Sequence, residues 1–297
     1  MKTPVRFQGA VVGQYFTLYD GVSKEQYQRV VAAAPFDKCN LLILAFVRTF
    51  TFHRPPKKGG PIYVAQFANG RDPFSFPLDP NDTDGDRVKL VVETARKKHP
   101  SINILISLGW GPDPKIDNDA GKAALTPVAF ADSVRAIVQA YDLDGFDIDF
   151  ESTQVDPAAM LTLAQEIRRS LNKIPSTHPM IMTITPAQRD GLDKDVLKQF
   201  TYVMPQTYDH GGNGTNFADA RWLANQLGGS YARIVYGLDS EADPENSIPP
   251  DDPRKFAAQV KKNRAAGIFA WRLNGDSIKQ GFPTFADALE MWNLMNH

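Results

Sequence analysis

The chain has 297 residues, of which 42% are hydrophobic, and this is enough for one large domain with a full core. Lysine and arginine number 33 against 34 aspartate and glutamate residues, so the net charge of -1 offers no basic excess for nucleic acid or for an anionic membrane surface. No apolar run approaches the ~20 residues of a membrane-spanning helix. From the charge balance and the missing apolar run together, we expect neither nucleic acid nor membrane as a partner.

The chain begins at Met1 with a polar stretch that lacks the apolar core of a secretory signal. Two cases stay open: an intracellular protein, or a secreted protein whose signal has been removed. Cys39 is the single cysteine, so an internal disulfide is excluded. Its position beside the apolar run from Leu41 to Val47 predicts a buried, unreactive thiol.

Apolar strand-like runs alternate with amphipathic helical stretches, which is the pattern of successive βα units on a parallel sheet. The eight predicted strands are Ala10 to Phe16, Leu41 to Val47, Ile102 to Leu108, Gly145 to Glu151, Met180 to Thr185, Tyr202 to Tyr208, Arg233 to Leu238 and Ile268 to Leu273. The helices are predicted at Lys24 to Ala34, Arg87 to Lys98, Val128 to Tyr141, Ala158 to Lys173, Asp193 to Lys198, Ala218 to Leu227, Arg254 to Ala265 and Thr284 to Leu294.

Eight such units predict an α/β protein of the (β/α)8 TIM barrel class, with residues 1–297 forming a single domain. In such barrels the catalytic residues lie at the carboxyl ends of the strands. An open doubly wound sheet is the alternative. It is disfavoured, together with dinucleotide binding, because no glycine-rich phosphate loop follows the first predicted strand.

The segment from Arg48 to Asp86 is too long for a plain connection between a strand and a helix. It is either a wall of a ligand cleft or a loop that packs its own aromatic side chains into a small separate core. The aromatic residues in question are Phe52, Tyr63, Phe67, Phe74 and Phe76. Near its end, Asp82 to Gly85 resembles a calcium loop but lacks the further ligands, and it is interpreted as the start of a helix.

An acidic strand is the most informative feature of the chain. In the segment Asp144 to Glu151, alternation places Asp147, Asp149 and Glu151 on one face, with Phe146 and neighbouring apolar residues on the other. Clustering buried carboxylates is costly, so at least one pKa should be raised towards neutrality, as a general acid requires. Two alternatives stay open: a solvent-facing or ion-paired strand end, and a divalent metal site for which a second strand would have to supply ligands.

The same segment resembles the D-x-x-D-x-D-x-E signature of glycoside hydrolase family 18, the chitinases and endo-β-N-acetylglucosaminidases. The resemblance implies that Glu151 is the general acid and that Asp149 orients the 2-acetamido group of the substrate, whose carbonyl oxygen attacks the anomeric carbon. It also implies that Asp147 shares a proton or a hydrogen bond with Asp149. In this substrate-assisted mechanism the enzyme needs no separate nucleophile.

Other predicted strand ends carry further elements similar to those of the family. Met204-Pro205-Gln206-Thr207-Tyr208-Asp209 resembles its M-x-Y-D or Q-x-Y-N element, which implies a catalytic Tyr208 and a substrate-binding role for Met204, Gln206 and Asp209. Trp271 matches the tryptophan on which the sugar rests. Ser107 and Trp110 lie in an element similar to S-x-G-G, in which Trp110 replaces a glycine, and Phe46 matches a short A-F element.

The resemblance implies a retaining, endo-acting hydrolase of β-1,4 linkages next to N-acetylglucosamine, with a chitinase as the first choice. An endo-β-N-acetylglucosaminidase acting on the chitobiose core of N-glycans is the alternative within the same chemistry, and a non-hydrolytic lectin or decoy is the alternative from another class. About 28 residues separate the last two predicted strands, too few for the α+β insertion of many family chitinases, so we expect an open groove. We further expect a monomer without cofactor or metal, since the five histidines are scattered.

Overall fold

A computed structural model describes residues 7, 9–19, 22–52, 60–69, 81–109, 119–151, 155–176, 178–208, 215–241, 249–279 and 281–296. The strands are β1 (Val11–Thr17), β2 (Leu41–Thr51), β3 (Tyr63–Phe67), β4 (Asn103–Leu108), β5 (Gly145–Phe150), β6 (Ile181–Pro186), β7 (Tyr202–Val203), β8 (Val235–Asp239) and β9 (Gly267–Trp271). The helices are α1 (Lys24–Ala33), α2 (Asp84–Lys98), α3 (Asp119–Leu125), α4 (Pro127–Ala140), α5 (Pro157–Leu171), α6 (Lys194–Leu197), α7 (Phe217–Gln226), α8 (Pro253–Asn263) and α9 (Ala286–Asn296).

Eight of these strands form a nearly closed parallel barrel, in the order β7-β6-β5-β4-β2-β1-β9-β8. The two ends of this order meet through a parallel bridge between Val203 and Ile234. Next to this bridge the Gly237 amide donates to the Pro205 carbonyl oxygen across 3.1 Å. The predicted (β/α)8 TIM barrel is therefore confirmed, and an open doubly wound sheet is not formed.

Alternation along the strands divides the apolar side chains into two cores. Phe146, Ile148 and Phe150 of β5 point outwards into the layer beneath the helices. A smaller core fills the barrel interior and includes the fully buried Phe269. Its ring has room because Gly237 carries no side chain: a Cβ at this position would lie 2.4 Å from the Phe269 Cζ atom.

Capping side chains fix several helix starts within one to three residues of the predicted positions. Asp156 and Asp252 accept hydrogen bonds from the first turns of α5 and α8, each directly before a proline. Thr83 and Asp86 form a reciprocal capping box at the start of α2, so the interpretation of residues 82–85 as a helix start is confirmed. Cys39 is buried, as predicted. Among the described residues, no helix has the length and apolar character needed to cross a membrane.

The segment from Arg48 to Asp86 departs from the predicted loop. β2 does not end at Val47 but continues to Thr51, and β3 pairs antiparallel with this extension, from Val47 opposite Phe67 to Thr51 opposite Tyr63. The extension is a hairpin that stands on the carboxyl side of the barrel. Helix α3, which lies against it, was not predicted either.

The aromatic residues of this segment have no common role. Phe67 packs edge-on against Tyr141 with ring centroids 5.4 Å apart, whereas Phe52 is 45% exposed. Phe74 and Phe76 lie outside the described residues. The hairpin itself is held at its base by Asp119, which accepts a hydrogen bond from the Thr49 amide at 3.0 Å and is paired with Arg48.

Candidate active site

The three carboxylates of the acidic segment form a row at the carboxyl end of β5. Asp147 is fully buried, Asp149 is 7% exposed, and Glu151 lies in the open directly after the strand. All three point into the barrel, because their outward-facing neighbours belong to the layer beneath the helices. The row therefore runs from the closed interior to a surface that a ligand can reach.

Asp147 is surrounded by hydroxyl groups. Ser107 and Tyr15 donate to its Oδ2 atom at 2.6 and 2.8 Å, and Thr183 and Thr185 donate to its Oδ1 atom at 2.5 and 3.1 Å. Burial raises the pKa of Asp147, and these hydrogen bonds oppose the rise. The Tyr15 hydroxyl also lies 2.8 Å from the Thr185 hydroxyl, so Asp147 is part of a network of hydroxyl groups.

Asp149 and Glu151 share one hydrogen-bond donor. The Gln206 amide nitrogen donates to the Asp149 Oδ1 atom at 2.8 Å and to the Glu151 Oε1 atom at 3.0 Å. Burial, followed by the charges of Glu151 and Asp147, raises the pKa of Asp149 well above its ordinary value, while the hydrogen bond from Gln206 lowers it. A carboxyl group in this setting holds a proton more readily than an ordinary aspartate.

The link expected between Asp147 and Asp149 is electrostatic in this structure. Among the described residues, the hydrogen-bond donors of Asp147 are hydroxyl groups and the donor of Asp149 is Gln206, and no hydrogen bond joins the two aspartates. The reason is geometric, since side chains two residues apart on a strand are separated by about 7 Å. The charge of Asp147 nevertheless contributes to the raised pKa of Asp149.

Tyr208 lies next to this row, just beyond β7. Its side chain is 8% exposed, and burial raises the pKa of Tyr208 well above its ordinary value. The negative charges of Asp149 and Glu151 raise it further, ahead of smaller contributions from Asp239 and Glu241. The phenol therefore keeps its proton and remains a hydrogen-bond donor at neutral pH.

Stacked aromatic rings line the site on the side of β1, β2 and β9. Trp271 stacks on Phe46 with ring centroids 5.9 Å apart and planes 18° apart, and Phe46 stacks in turn on Tyr19 at 6.0 Å. Tyr15 packs against Trp271 at 5.3 Å and so connects the rings to the hydroxyl groups around Asp147. The half-buried indole offers a flat apolar surface, of the kind on which a pyranose ring packs.

A family model described as "Glycosyl hydrolases family 18" matches residues 11–230 of the chain. The chain belongs to this family. The matched range includes the carboxylate row, Gln206 and Tyr208, and it ends before β8 and β9. Trp271 therefore lies beyond the match.

Solved structures of two chitinases and of a chitinase-like agglutinin share the barrel at low sequence identity. A class V chitinase from Nicotiana tobaccum is 15% identical with a TM-score of 0.69, the alignment covering 97% of this chain and 99% of that one. A chitinase from Bacteroides thetaiotaomicron is 20% identical with a TM-score of 0.66, covering 97% and 96%. The chitinase-like agglutinin of Robinia pseudoacacia is 16% identical with a TM-score of 0.66, covering 94% and 99%. No curated protein sequence matches the chain.

The residues predicted from the family pattern have different surroundings. Gln206 contacts the carboxylate row, and Phe46 stacks on Trp271. Ser107 and Met204 are fully buried, so these two side chains support their neighbours instead of lining open space. Two further predicted residues, Trp110 and Asp209, lie outside the described residues.

Several site residues were missed by sequence reasoning. Tyr15, Thr183 and Thr185 all donate hydrogen bonds to Asp147, and Tyr19 extends the stack of rings. A signal was present for the two threonines, because they are polar residues at alternate positions of an otherwise apolar strand that pairs with the acidic one. Asp239 was missed as well.

Asp239 and Glu241 place further negative charge near Tyr208. Burial, with smaller contributions from the charges of Glu241 and Asp251, raises the pKa of Asp239 to about 7. Glu241 is paired with Arg272 at 3.0 Å. Within the described ranges, no group of three His, Cys, Asp or Glu side chains is arranged to hold a metal ion.

Proposed function

We propose that the protein is a retaining, endo-acting glycoside hydrolase that cleaves β-1,4 linkages next to N-acetylglucosamine, and that it is a chitinase. One observation carries the proposal: an open Glu151 is joined through the Gln206 amide to a buried Asp149 whose pKa is raised, directly beside the protonated hydroxyl of Tyr208. A proton donor (Glu151), an acceptor for an amide N–H (Asp149) and a hydroxyl donor for an amide oxygen (Tyr208) are thus adjacent.

The proposed first step breaks the bond between the anomeric carbon and the leaving oxygen, which takes a proton from Glu151. The carbonyl oxygen of the substrate's own acetamido group forms a bond to the anomeric carbon and gives a cyclic oxazolinium ion. Asp149 accepts the acetamido N–H, and Tyr208 donates its O–H to the acetamido oxygen. The indole of Trp271 supports the apolar face of the sugar.

In the second step Glu151, now a carboxylate, takes a proton from water, and the water oxygen attacks the anomeric carbon as the oxazolinium ring opens. Each of the two steps inverts the configuration at the anomeric carbon, so the product retains the configuration of the substrate. The acetamido group supplies the nucleophile, so the proposal requires neither a cofactor nor a metal ion, and one catalytic domain acting as a monomer suffices.

Endo-type cutting is proposed because, among the described residues, the stretch between β8 and β9 has no element above the cleft. In the described part of the stretch between β8 and β9, the secondary structure is helix α8, which packs on the outside of the barrel. The aromatic stack and the carboxylate row therefore form a groove that a chain can enter along its length. The chitinase is preferred over the endo-β-N-acetylglucosaminidase because chitinases of similar fold include the Nicotiana tobaccum enzyme, of which a complex with NAG4 is known.

A lectin is the second candidate, because the Robinia pseudoacacia agglutinin shows that the same fold occurs in a chitinase-like agglutinin. The complete set of Asp147, Asp149, Glu151 and Tyr208 supports catalysis instead, since a protein that only binds sugar does not need a proton donor at this position.

Product analysis by mass spectrometry tests the proposal. The protein is incubated separately with chitin hexasaccharide and with a high-mannose N-glycoprotein, and the Glu151→Gln variant serves as the background control. Internal cleavage of the hexasaccharide, absent in the variant, supports the endo-acting chitinase. Release of a glycan that leaves one N-acetylglucosamine on the protein would replace it by the endoglycosidase, and binding without cleavage would replace it by the lectin. Removal of units from one end only would contradict endo-type cutting.

A further inference from the structure

Asp239 is a carboxyl group at the mouth of the barrel that the proposed mechanism does not use. It is the last residue of β8 and lies opposite Trp271 in the register between β8 and β9. Two residues earlier, Gly237 faces the ring of Phe269 in the barrel interior, so alternation turns the Asp239 side chain inwards as well. Because neighbouring strands are about 5 Å apart, this carboxyl group lies beside the indole on which the sugar is proposed to rest.

The position of Asp239 around the barrel is between two groups of the candidate site. β8 lies between β9, which carries Trp271, and β7, which Tyr208 follows. The charge of Asp239 contributes to the raised pKa of Tyr208, so the two side chains are near each other. A sugar that rests on the indole and reaches Tyr208 with its acetamido group therefore presents a further edge to Asp239.

Hydrogen bonds hold Asp239 in one orientation. Its amide donates to the Asp251 Oδ2 atom at 3.0 Å, and the Asp251 amide donates to the Asp239 carbonyl oxygen at 2.8 Å. The Glu241 amide donates to the Asp239 Oδ1 atom at 2.8 Å, which fixes the carboxyl group. Among the described residues nothing donates to the other oxygen, Oδ2, and the side chain is only half-buried. The site thus contains one oriented acceptor oxygen that a ligand can reach.

The fold does not explain an acid at this position. Within the described part of the chain, no cation forms an ion pair with Asp239: the neighbouring Arg272 is paired with Glu241 at 3.0 Å and donates to the Thr17 hydroxyl. Burial raises the pKa of Asp239 to about 7, so its charged form costs stability at neutral pH and above. Asparagine has the same shape and would avoid this cost. The carboxylate therefore requires a reason other than stability.

The chemical group that fits this acceptor is a sugar hydroxyl. An internal unit of a β-1,4-linked N-acetylglucosamine chain has linkages at C1 and C4 and the acetamido group at C2, so its free hydroxyl groups are the 3-OH and the 6-OH. Both lie at the edge of the pyranose ring, and a ring that packs on the indole of Trp271 directs them to the surrounding walls. In the proposed mechanism the acetamido N–H binds Asp149, so Asp239 is available for one of the two hydroxyl groups.

We propose that Asp239 is a specificity residue whose Oδ2 atom accepts a hydrogen bond from the 3-OH or the 6-OH of the sugar that rests on Trp271. The identity of that sugar rests on the proposed function. A hydrogen bond to a charged group contributes more than one between neutral groups, and a carboxyl group that is already fixed loses little freedom on binding. Asp239 therefore acts on ligand affinity, whereas proton transfer belongs to Glu151.

Calorimetric binding of chitin tetrasaccharide tests the inference without turnover. The background is the Glu151→Gln variant, which does not cleave the ligand, at pH 8, where Asp239 is largely ionised. Adding Asp239→Ala should weaken binding about tenfold or more, because the acceptor is lost. Adding Asp239→Asn, which preserves the shape and removes the charge, should weaken it about fivefold. Adding Glu93→Gln, an exposed substitution on α2, is the control and should leave the affinity unchanged.

Two analogues identify the hydrogen bond itself. Tetrasaccharides that lack either all 6-OH groups or all 3-OH groups are measured with the same proteins. For one of the two analogues, the affinity lost relative to the natural tetrasaccharide should be about tenfold smaller in the Asp239→Ala variant, because the partner of the missing hydroxyl group is already absent. A structural role of Asp239 would not produce this coupling.

The outcomes separate this inference from the proposed function. Coupling with neither analogue, or unchanged affinity in both Asp239 variants, would overturn the inference and leave the proposed function standing. Coupling in a protein whose wild type binds the tetrasaccharide without cleaving it would support the inference and refute the proposed activity. Absence of binding in the Glu151→Gln background, together with absence of cleavage by the wild type, would refute both.

Discussion

Replacement of Glu151 by glutamine removes the proposed proton donor with little other change. Glu151 is exposed, so the substitution leaves no buried group behind. The Gln206 amide nitrogen donates to the Glu151 Oε1 atom at 3.0 Å, and the oxygen of a glutamine at position 151 can accept the same hydrogen bond. The cleft should therefore keep its shape and its affinity for oligosaccharide.

The expected loss of turnover follows from the chemistry that is removed. A positioned general acid contributes about 100- to 10,000-fold, which corresponds to roughly 3 to 5.5 kcal/mol of the activation free energy. We expect kcat to fall by this factor for Glu151→Gln, while the dissociation constant for chitin oligosaccharide changes less than about threefold, since the hydrogen bond from Gln206 is kept.

Initial rates of chitin hexasaccharide hydrolysis and calorimetric binding of the same ligand measure the two quantities. Glu93→Gln, an exposed substitution on α2, is the matched control and should leave both unchanged. A Glu151→Gln variant that keeps more than a tenth of the wild-type kcat would remove Glu151 from its proposed role. A variant that loses binding as well would show that Glu151 holds the ligand, contrary to the reasoning.

Three further predictions concern the site and the fold. Asp149→Asn should lower kcat/KM about 100-fold on chitin oligosaccharide, because the carboxyl group that accepts the acetamido N–H is replaced by an amide. Arg87→Met should lower the free energy of unfolding, measured in urea, by about 3 to 5 kcal/mol, because the substitution leaves the buried Asp82 without its ion pair. Arg169→Met, at a largely exposed side chain, should lower it by under about 0.5 kcal/mol. Burial raises the pKa of Asp239 from 3.8 to about 7, so the folded chain binds a proton here that the unfolded chain has lost. The stability that this proton contributes is complete below about pH 4 and is lost as the pH rises to 7. Asp239→Asn should therefore unfold at a higher temperature than wild type at about pH 8 but not near pH 4.

The barrel was predictable because its strands and helices have regular local patterns. The hairpin could not be predicted, since its strands form only by pairing with each other. The run from Leu41 to Val47 is continuously apolar and marks a buried strand without reference to the rest of the chain. The residues that extend it to Thr51 are mostly polar, and they form a strand only because Tyr63–Phe67 pairs with them. Proline and glycine residues between the two strands conceal this partner from a local pattern.

The acidic row and Tyr208 were predictable from their motifs, whereas the contacts between them were not. Gln206 follows β7, whereas Asp149 lies in β5 and Glu151 directly after it, with β6 lying between these strands in the sheet. Inward side chains of alternate strands meet in one layer only when the sheet closes into a barrel. The bridge from Gln206 to Asp149 and Glu151 therefore follows from closure, which a motif on one strand does not encode.

The different environments of the three carboxylates explain how one strand can supply three chemical roles. Asp147 lies among hydroxyl groups in the closed interior, Asp149 is buried with a single amide donor, and Glu151 is open to solvent. In the proposed mechanism a proton is exchanged only at the outer end of the row, so a substrate needs to reach Glu151 alone for proton transfer, while Asp149 remains available for its amide.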